Sequence, residues 1–91
     1  MNAVTRPTTH ADWTNPGAEG CKLEVSATMD GLGRPLLSLV ADPIDGTIWV
    51  ELYVDGKRVQ IPVADVQRLL EAVPELEIWH GRTFANGSAD A

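Results

Sequence analysis

The alternation of apolar and polar residues predicts strands in the middle of the chain. From Lys22 to Met29, apolar residues occupy every second position, which is typical of a strand with one buried face. The segment from Arg34 to Ala41 is apolar at both alternating sets of positions, which favours a central strand. Turn-forming residues at 30–33 and 42–46 bound a third predicted strand, Thr47 to Val54.

The dipeptide Asp55-Gly56 predicts a tight hairpin between the third strand and a fourth that starts at Lys57. Asp-Gly is favoured in two-residue type I′ turns, whose twist matches that of the flanking strands. The implied register places apolar pairs on one face and polar or amphipathic pairs on the other, and a slip by one residue would mix them. The predicted pairs are Val54 with Lys57, Tyr53 with Arg58, Leu52 with Val59, Glu51 with Gln60 and Val50 with Ile61.

The C-terminal third changes to the period of a helix. Pro62 suits a first helical turn, and apolar residues at 63, 66, 69, 70 and 73 predict one amphipathic helix that Pro74 should end. The segment from Glu75 to His80 alternates again, which predicts a short final strand. We therefore expect an α+β fold: an antiparallel four-stranded sheet in the order β-β-β-β-α, with one helix on one face.

The chain divides into three parts by composition. Residues 1–20 are rich in threonine and proline without a sustained period, which predicts a flexible polar arm. Trp13 is the exception, and we expect it to fold back onto the domain. Residues 21–80 form the predicted single α+β domain, and residues 81–91 form a predicted disordered tail.

The charge balance narrows the choice of partners. The 91 residues include seven Lys and Arg against thirteen Asp and Glu, for a net charge of −6, whereas nucleic acid and anionic membranes attract basic surfaces. We therefore expect no membrane binding, and the charge gives little support to nucleic-acid binding. An apolar run long enough for a signal peptide or a membrane span is missing from the sequence, which predicts a cytoplasmic protein.

Candidate chemistry is sparse. Cys21 could act as a nucleophile with His10 or His80 as its base, but neighbouring acids such as Glu24 oppose thiolate formation. We expect Cys21 to be a buried or half-buried structural thiol. The sequence thus predicts no enzyme, no metal site and no cofactor.

The most informative constellation lies on the outer face of the Asp55-Gly56 hairpin. Trp49, Glu51 and Tyr53 should project there beside Arg58, and Trp, Tyr and Arg are enriched at interface hot spots. This surface is either covered by another segment of the chain or is a subunit or partner interface, and we expect a homodimer. Further candidate contacts are Asp65 and Glu71 on the helix, Glu75 after it, and Glu77 and Trp79 on the final strand.

The segment WTNPGAEGCKLEV, from Trp13 to Val25, resembles the small BldB-like regulatory accessory proteins of actinobacteria. The corresponding residues are Trp13, Gly20, Cys21, Glu24 and Val25, although an extra residue separates Cys21 from Glu24. The resemblance implies a small regulatory protein that acts by contacting a protein. The ββββα order also looks like the unit of single-strand-binding transcriptional coactivators, which dimerise and bind nucleic acid across their sheets.

These observations favour a small acidic non-enzymatic protein-interaction module. It would regulate or inhibit a protein partner such as a transcription regulator or a nucleic-acid machine. One alternative is a phage-type inhibitor that occupies a basic groove, because residues 63–80 hold four acids and one base. The other is a dimer that stacks single-stranded nucleic acid on Trp49 and Tyr53.

Overall fold

A single antiparallel sheet followed by two consecutive helices makes up the chain. The computed structural model describes residues 3–15, 20–85 and 87. Five strands lie in the sheet in chain order, so that every neighbouring pair is antiparallel. They are β1 (Thr9–Thr14), β2 (Lys22–Met29), β3 (Leu32–Asp42), β4 (Thr47–Val54) and β5 (Lys57–Pro62), and the helices are α1 (Val63–Glu71) and α2 (Val73–His80). The predicted α+β class is confirmed.

The β4–β5 hairpin has the predicted register at all five pairs, including Glu51 opposite Gln60. Asp55 and Gly56 take positive φ angles of 51° and 74°, as a type I′ turn requires. Asp30 and its glycine neighbour adopt the same geometry between β2 and β3. Local turn chemistry therefore fixes the register of the sheet.

The sheet has one strand more than the four predicted. Thr9–Thr14, within the segment predicted to be a flexible arm, pairs with β2 and places Trp13 opposite Leu23. The alternation in β1 is hard to recognise, because two of its inward positions hold Thr and Ala instead of larger apolar residues. Trp13 is 71% exposed, so its ring does not fold back over the domain as expected. Residues 1–2 and 16–19 lie outside the described part of the chain.

The predicted final strand is wrong, because Val73–His80 forms helix α2. Six alternating residues are too few to distinguish a strand from a helix, and proline is tolerated in the first turn of a helix. Pro74 does interrupt α1, since it lacks an N–H and would clash with the preceding turn. The two helices meet at Ala72 as one bent unit, residues 63–80, which we call the helical pair.

The predicted disordered tail begins with ordered contacts. Gly81 ends α2 with a left-handed φ of 66°, which glycine adopts without strain. The Phe84 ring then packs edge-on against His80 at 5.3 Å between centroids, and the Arg82 guanidinium lies 4.8 Å from the Phe84 ring centre. Residues 86 and 88–91 of this segment lie outside the described part.

The helices do not cover the sheet, in contrast to the expectation. Helix α1 contacts β4 and β5, α2 contacts α1 but no described strand, and neither helix has a buried residue. Because α1 begins at Val63, directly after β5 ends at Pro62, no linker is available to turn it back. Neither helix is long and apolar enough to cross a membrane, as far as the described residues go.

The strand register defines two opposite sheet faces. One carries nearly all of the large aliphatic residues, and we call it the apolar face. The other, the polar face, carries Glu51, Arg58 and their neighbours. Two charged residues, Arg34 and Lys57, also lie on the apolar face. Its apolar residues are Ala11 and Trp13 of β1, Leu23, Val25, Ala27 and Met29 of β2, Leu32, Leu37, Leu39 and Ala41 of β3, Ile48, Val50, Leu52 and Val54 of β4, and Val59 and Ile61 of β5.

Candidate functional site

Glu51 lies at the centre of the polar face and is held by two donors from β5. Arg58 Nε donates to Glu51 Oε1 at 3.0 Å and Gln60 Nε2 donates to the same oxygen at 3.1 Å. The Glu51 side chain is 1% exposed, whereas that of Arg58 is 56% exposed. The predicted neighbours are therefore brought together, but Glu51 orients Arg58 and is itself inaccessible to a partner.

The electrostatics of Glu51 favour its charged form. Burial raises the pKa of Glu51, but hydrogen bonds from Gln60 and Arg58 and the positive charges of Arg58 and Lys22 lower it, and the net result is a pKa below the usual value. The charged carboxylate of Glu51 therefore has a structural role, because it holds Arg58 and Gln60 on this face. A general acid at neutral pH would need the opposite pKa shift.

A cleft of about 380 Å³ lies beside this network and is lined by both signs of charge, including Lys22, Asp42 and Glu51. Ser38, directly opposite Glu51 on β3, is fully buried, and its hydroxyl has no hydrogen-bond partner among the described residues. Lys22 pairs with Glu24 at 3.8 Å. This mixture of charges does not select an anionic ligand or a cationic one.

The two aromatic residues of the polar face differ in accessibility. Trp49 is half-buried, and its Nε1 donates to Thr47 Oγ1 at 2.6 Å. Tyr53 is 42% exposed and lies opposite Arg58. Only Tyr53 and Arg58 of the predicted patch therefore present substantial surface to a partner.

The acidic candidates lie on the helical pair and are exposed apart from the half-buried Glu77, and two of them already have partners. Glu75 Oε1 forms an ion pair with Arg68 Nη2 at 3.6 Å, and Glu77 Oε2 accepts from the Phe84 backbone N–H at 2.7 Å. Asp65 and Glu71 are also exposed.

Glu77 and Trp79 do not extend the sheet surface. They lie on a helix, where residues two apart point about 200° away from each other, and Trp79 is 87% exposed. The expectation of a shared strand face for these two residues is therefore wrong.

The catalytic candidates are dispersed. Cys21 is exposed, so the prediction of a buried or half-buried thiol is wrong. His10 Nε2 lies 3.5 Å from Asp12 Oδ2 on β1, and His80 packs on Phe84. Within the described ranges, no group of three or more His, Cys, Asp or Glu residues could hold a metal ion.

The largest candidate surface is the apolar face, which the sequence analysis assigned to the core. Leu39 remains 39% exposed although it lies on the central strand, and Ile48 and Leu32 are 56% and 59% exposed. Ala27 is the one fully buried apolar side chain in the described part of the molecule. The alternation identified the residues of this face correctly. The prediction that a helix covers the face is wrong, and the exposure of the face was therefore not expected.

The overall dimensions agree with an uncovered face. The chain exposes 7641 Å², whereas a compact monomer of its mass exposes about 5,200 Å². Its radius of gyration is 15.7 Å, against about 12 Å for a compact chain of this length.

Comparison with known proteins adds no further constraint. No family model, no curated protein and no solved structure matches the chain.

Proposed function

We propose that this protein is a small acidic non-enzymatic interaction module that binds protein surfaces through its apolar face. The observation that carries the proposal is the exposure of apolar side chains of that face on β1, β3, β4 and β5, including Leu39 at its centre. Soluble monomers rarely expose apolar patches larger than a few hundred Å² unless the patch binds something. The module would work as a homodimer in the cytoplasm and regulate a protein partner.

The partner class follows from the charge and the resemblance together. A regulator of transcription or a nucleic-acid machine presents basic surface, which suits a chain with a net charge of −6. The resemblance of Trp13 to Val25 to BldB-like accessory proteins supports the same class. Tyr53 and Arg58 provide an aromatic and cationic contact on the opposite face.

The inhibitor of a basic groove is the second candidate. It is favoured by the exposed acids of the helical pair, Asp65 and Glu71, together with the pairing of the one base there, Arg68, to Glu75. Such binding would weaken steeply with salt, since exposed charges are screened. Salt dependence therefore separates this candidate from binding through the apolar face.

Binding of single-stranded nucleic acid has less support. Stacking requires accessible aromatic rings and a basic backbone track. Trp49 is half-buried, and the centre of its face is the carboxylate of Glu51.

The test is a matched pair of single substitutions. Leu39→Glu places a charge at the centre of the apolar face, and Thr28→Glu places one at an exposed position on the polar face. We expect Leu39→Glu to abolish both self-association in sedimentation and capture of the native partner from host extract, while Thr28→Glu retains both. Equal behaviour of the two variants would refute the assignment.

A further inference from the structure

The helical pair has an uncovered apolar side of its own. Leu69 and Leu70 of α1 are 70% and 67% exposed. A cleft of about 330 Å³ between α1 and α2 is lined mainly by apolar residues, among them Val73, Leu76 and Trp79. The molecule therefore carries two apolar surfaces, the apolar face and the helical pair, and neither covers the other.

The covalent junction explains why the two surfaces stay apart within one copy. Connections between a strand and a helix usually contain two to six residues, but Val63 begins α1 immediately after Pro62 ends β5. Pro62 also has a fixed φ, here −60°. Helix α1 therefore stays beside β4 and β5, and α2 contacts only α1 among the described elements.

The two surfaces match in size. The helical pair spans 18 residues, Val63 to His80, which give about 27 Å of helix at 1.5 Å per residue, and the bend at Ala72 makes its end-to-end length shorter. Five strands at about 4.8 Å spacing give a sheet roughly 24 Å wide. The helical pair is therefore comparable in size to one apolar face.

The two surfaces also match in charge. Arg34 and Lys57 are the charged residues among the described positions of the apolar face, and both are exposed. The helical pair carries four acids and one base. Two apolar faces packed against each other would bring together only positive charges, whereas a face packed against a helical pair brings opposite charges together.

We infer that the apolar face of one copy is covered by the helical pair of a second copy, in a reciprocal two-fold exchange. This inference rests on the proposed function and names the occupant of its binding face. An isologous dimer covers both apolar surfaces of both copies in one interface. Packing of sheet on sheet would leave Leu69, Leu70 and Trp79 in solvent.

The direct test is an isotope-filtered nuclear Overhauser experiment on dimers mixed from ¹³C-labelled and unlabelled full-length chains. We expect sedimentation to give a dimer and the filtered spectrum to show contacts between Leu39 methyl groups of one copy and the Trp79 ring of the other. A monomer overturns the inference. Contacts between the Leu37 and Leu39 methyl groups of both copies, without Trp79, also overturn it.

A charge-reversal series provides an independent readout with exposed residues only. Arg34→Glu with Lys57→Glu should weaken dimerisation at low salt by about tenfold or more, because each helical pair then meets like charges. Adding Glu71→Lys and Asp65→Lys should restore most of the affinity. Unchanged affinity in the first variant, or failure of the second to restore it, contradicts the exchange.

The outcomes separate this inference from the proposed function. A dimer built from two apolar faces removes the exchange but keeps the apolar face as a binding surface. A monomer whose Leu39→Glu variant loses the native partner also removes the exchange and keeps the apolar face as a binding surface. A monomer in which a uniformly ¹³C-labelled sample shows Leu39 in contact with Trp79 of the same chain removes both.

Discussion

Arg58 Nε lies 3.0 Å from the Oε1 atom of Glu51 on the neighbouring strand, and the pair joins a fully buried carboxylate to a solvent-exposed guanidinium. Exposed ion pairs contribute little, but a buried carboxylate needs its donors. The two donors therefore matter because their loss would leave the buried Glu51 carboxylate unpaired, whereas the exposed Arg58 side chain can be solvated. Arg58 and Gln60 hold Glu51 from the same side of the sheet.

Removing the Glu51 carboxylate should destabilise the fold. We expect Glu51→Ala to lower the free energy of unfolding by about 1–3 kcal/mol, since it leaves a gap and removes the acceptor of Gln60 and Arg58. Urea unfolding at fixed protein concentration measures the change. Thr28→Ala, at an exposed position of the polar face, is the control and should stay within about 0.5 kcal/mol of wild type.

Stability should fall in acid partly because of Glu51. Its pKa in the folded state is lowered from an ordinary value of 4.5, so the stabilisation is present above that value and is lost as pH falls through the folded pKa. The pKa of Asp45 is also lowered, chiefly by the Thr47 hydroxyl that donates to it. Glu51→Gln should flatten the loss of unfolding free energy between pH 7 and pH 3, and an unchanged slope would contradict this role.

The end of α2 should depend on Gly81. A Cβ there meets no atom within 4 Å, but its φ of 66° is strained for other residues. We expect Gly81→Ala to cost about 1 kcal/mol in thermal unfolding. Gly33→Ala has equally open surroundings without a positive φ, so comparable losses in both variants would show that the conformation is not the cause.

Single-stranded oligonucleotides should not bind. Glu51 lies between Trp49 and Tyr53 on the polar face, and residues 21–62 hold six acids and four bases. Fluorescence anisotropy of a labelled oligonucleotide at low salt should therefore stay flat up to the highest protein concentration tested. A saturable rise that Tyr53→Ala abolishes would instead support the nucleic-acid candidate.

The parts of the fold that local chemistry determines could be predicted from the sequence. Asp55-Gly56 determined a hairpin register that is confirmed at every predicted pair, and the periodicity from Val63 identified α1. β1 and α2 could not be predicted, because β1 has small or polar residues at its alternating positions and the short alternation before His80 fits two periods. These failures concern segments whose state depends on neighbours distant in sequence.

The candidate site was predicted in its composition but not in its exposure. The sequence placed Trp49, Glu51, Tyr53 and Arg58 on one face, as the structure does. It could not show that Glu51 is buried or that the opposite face is open. The exposure of the apolar face depends on where the helices pack. Their packing is limited because no linker separates β5 from α1.

The direct junction of β5 and α1 has a consequence for how the association state could change. Short hinges favour domain swapping, because an element that cannot fold back onto its own chain can pack on a second copy instead. A few residues inserted between Pro62 and Val63 would give the helices the reach to close over their own sheet. A small insertion at one peptide bond would then be enough to convert an exchanged dimer into a self-contained monomer.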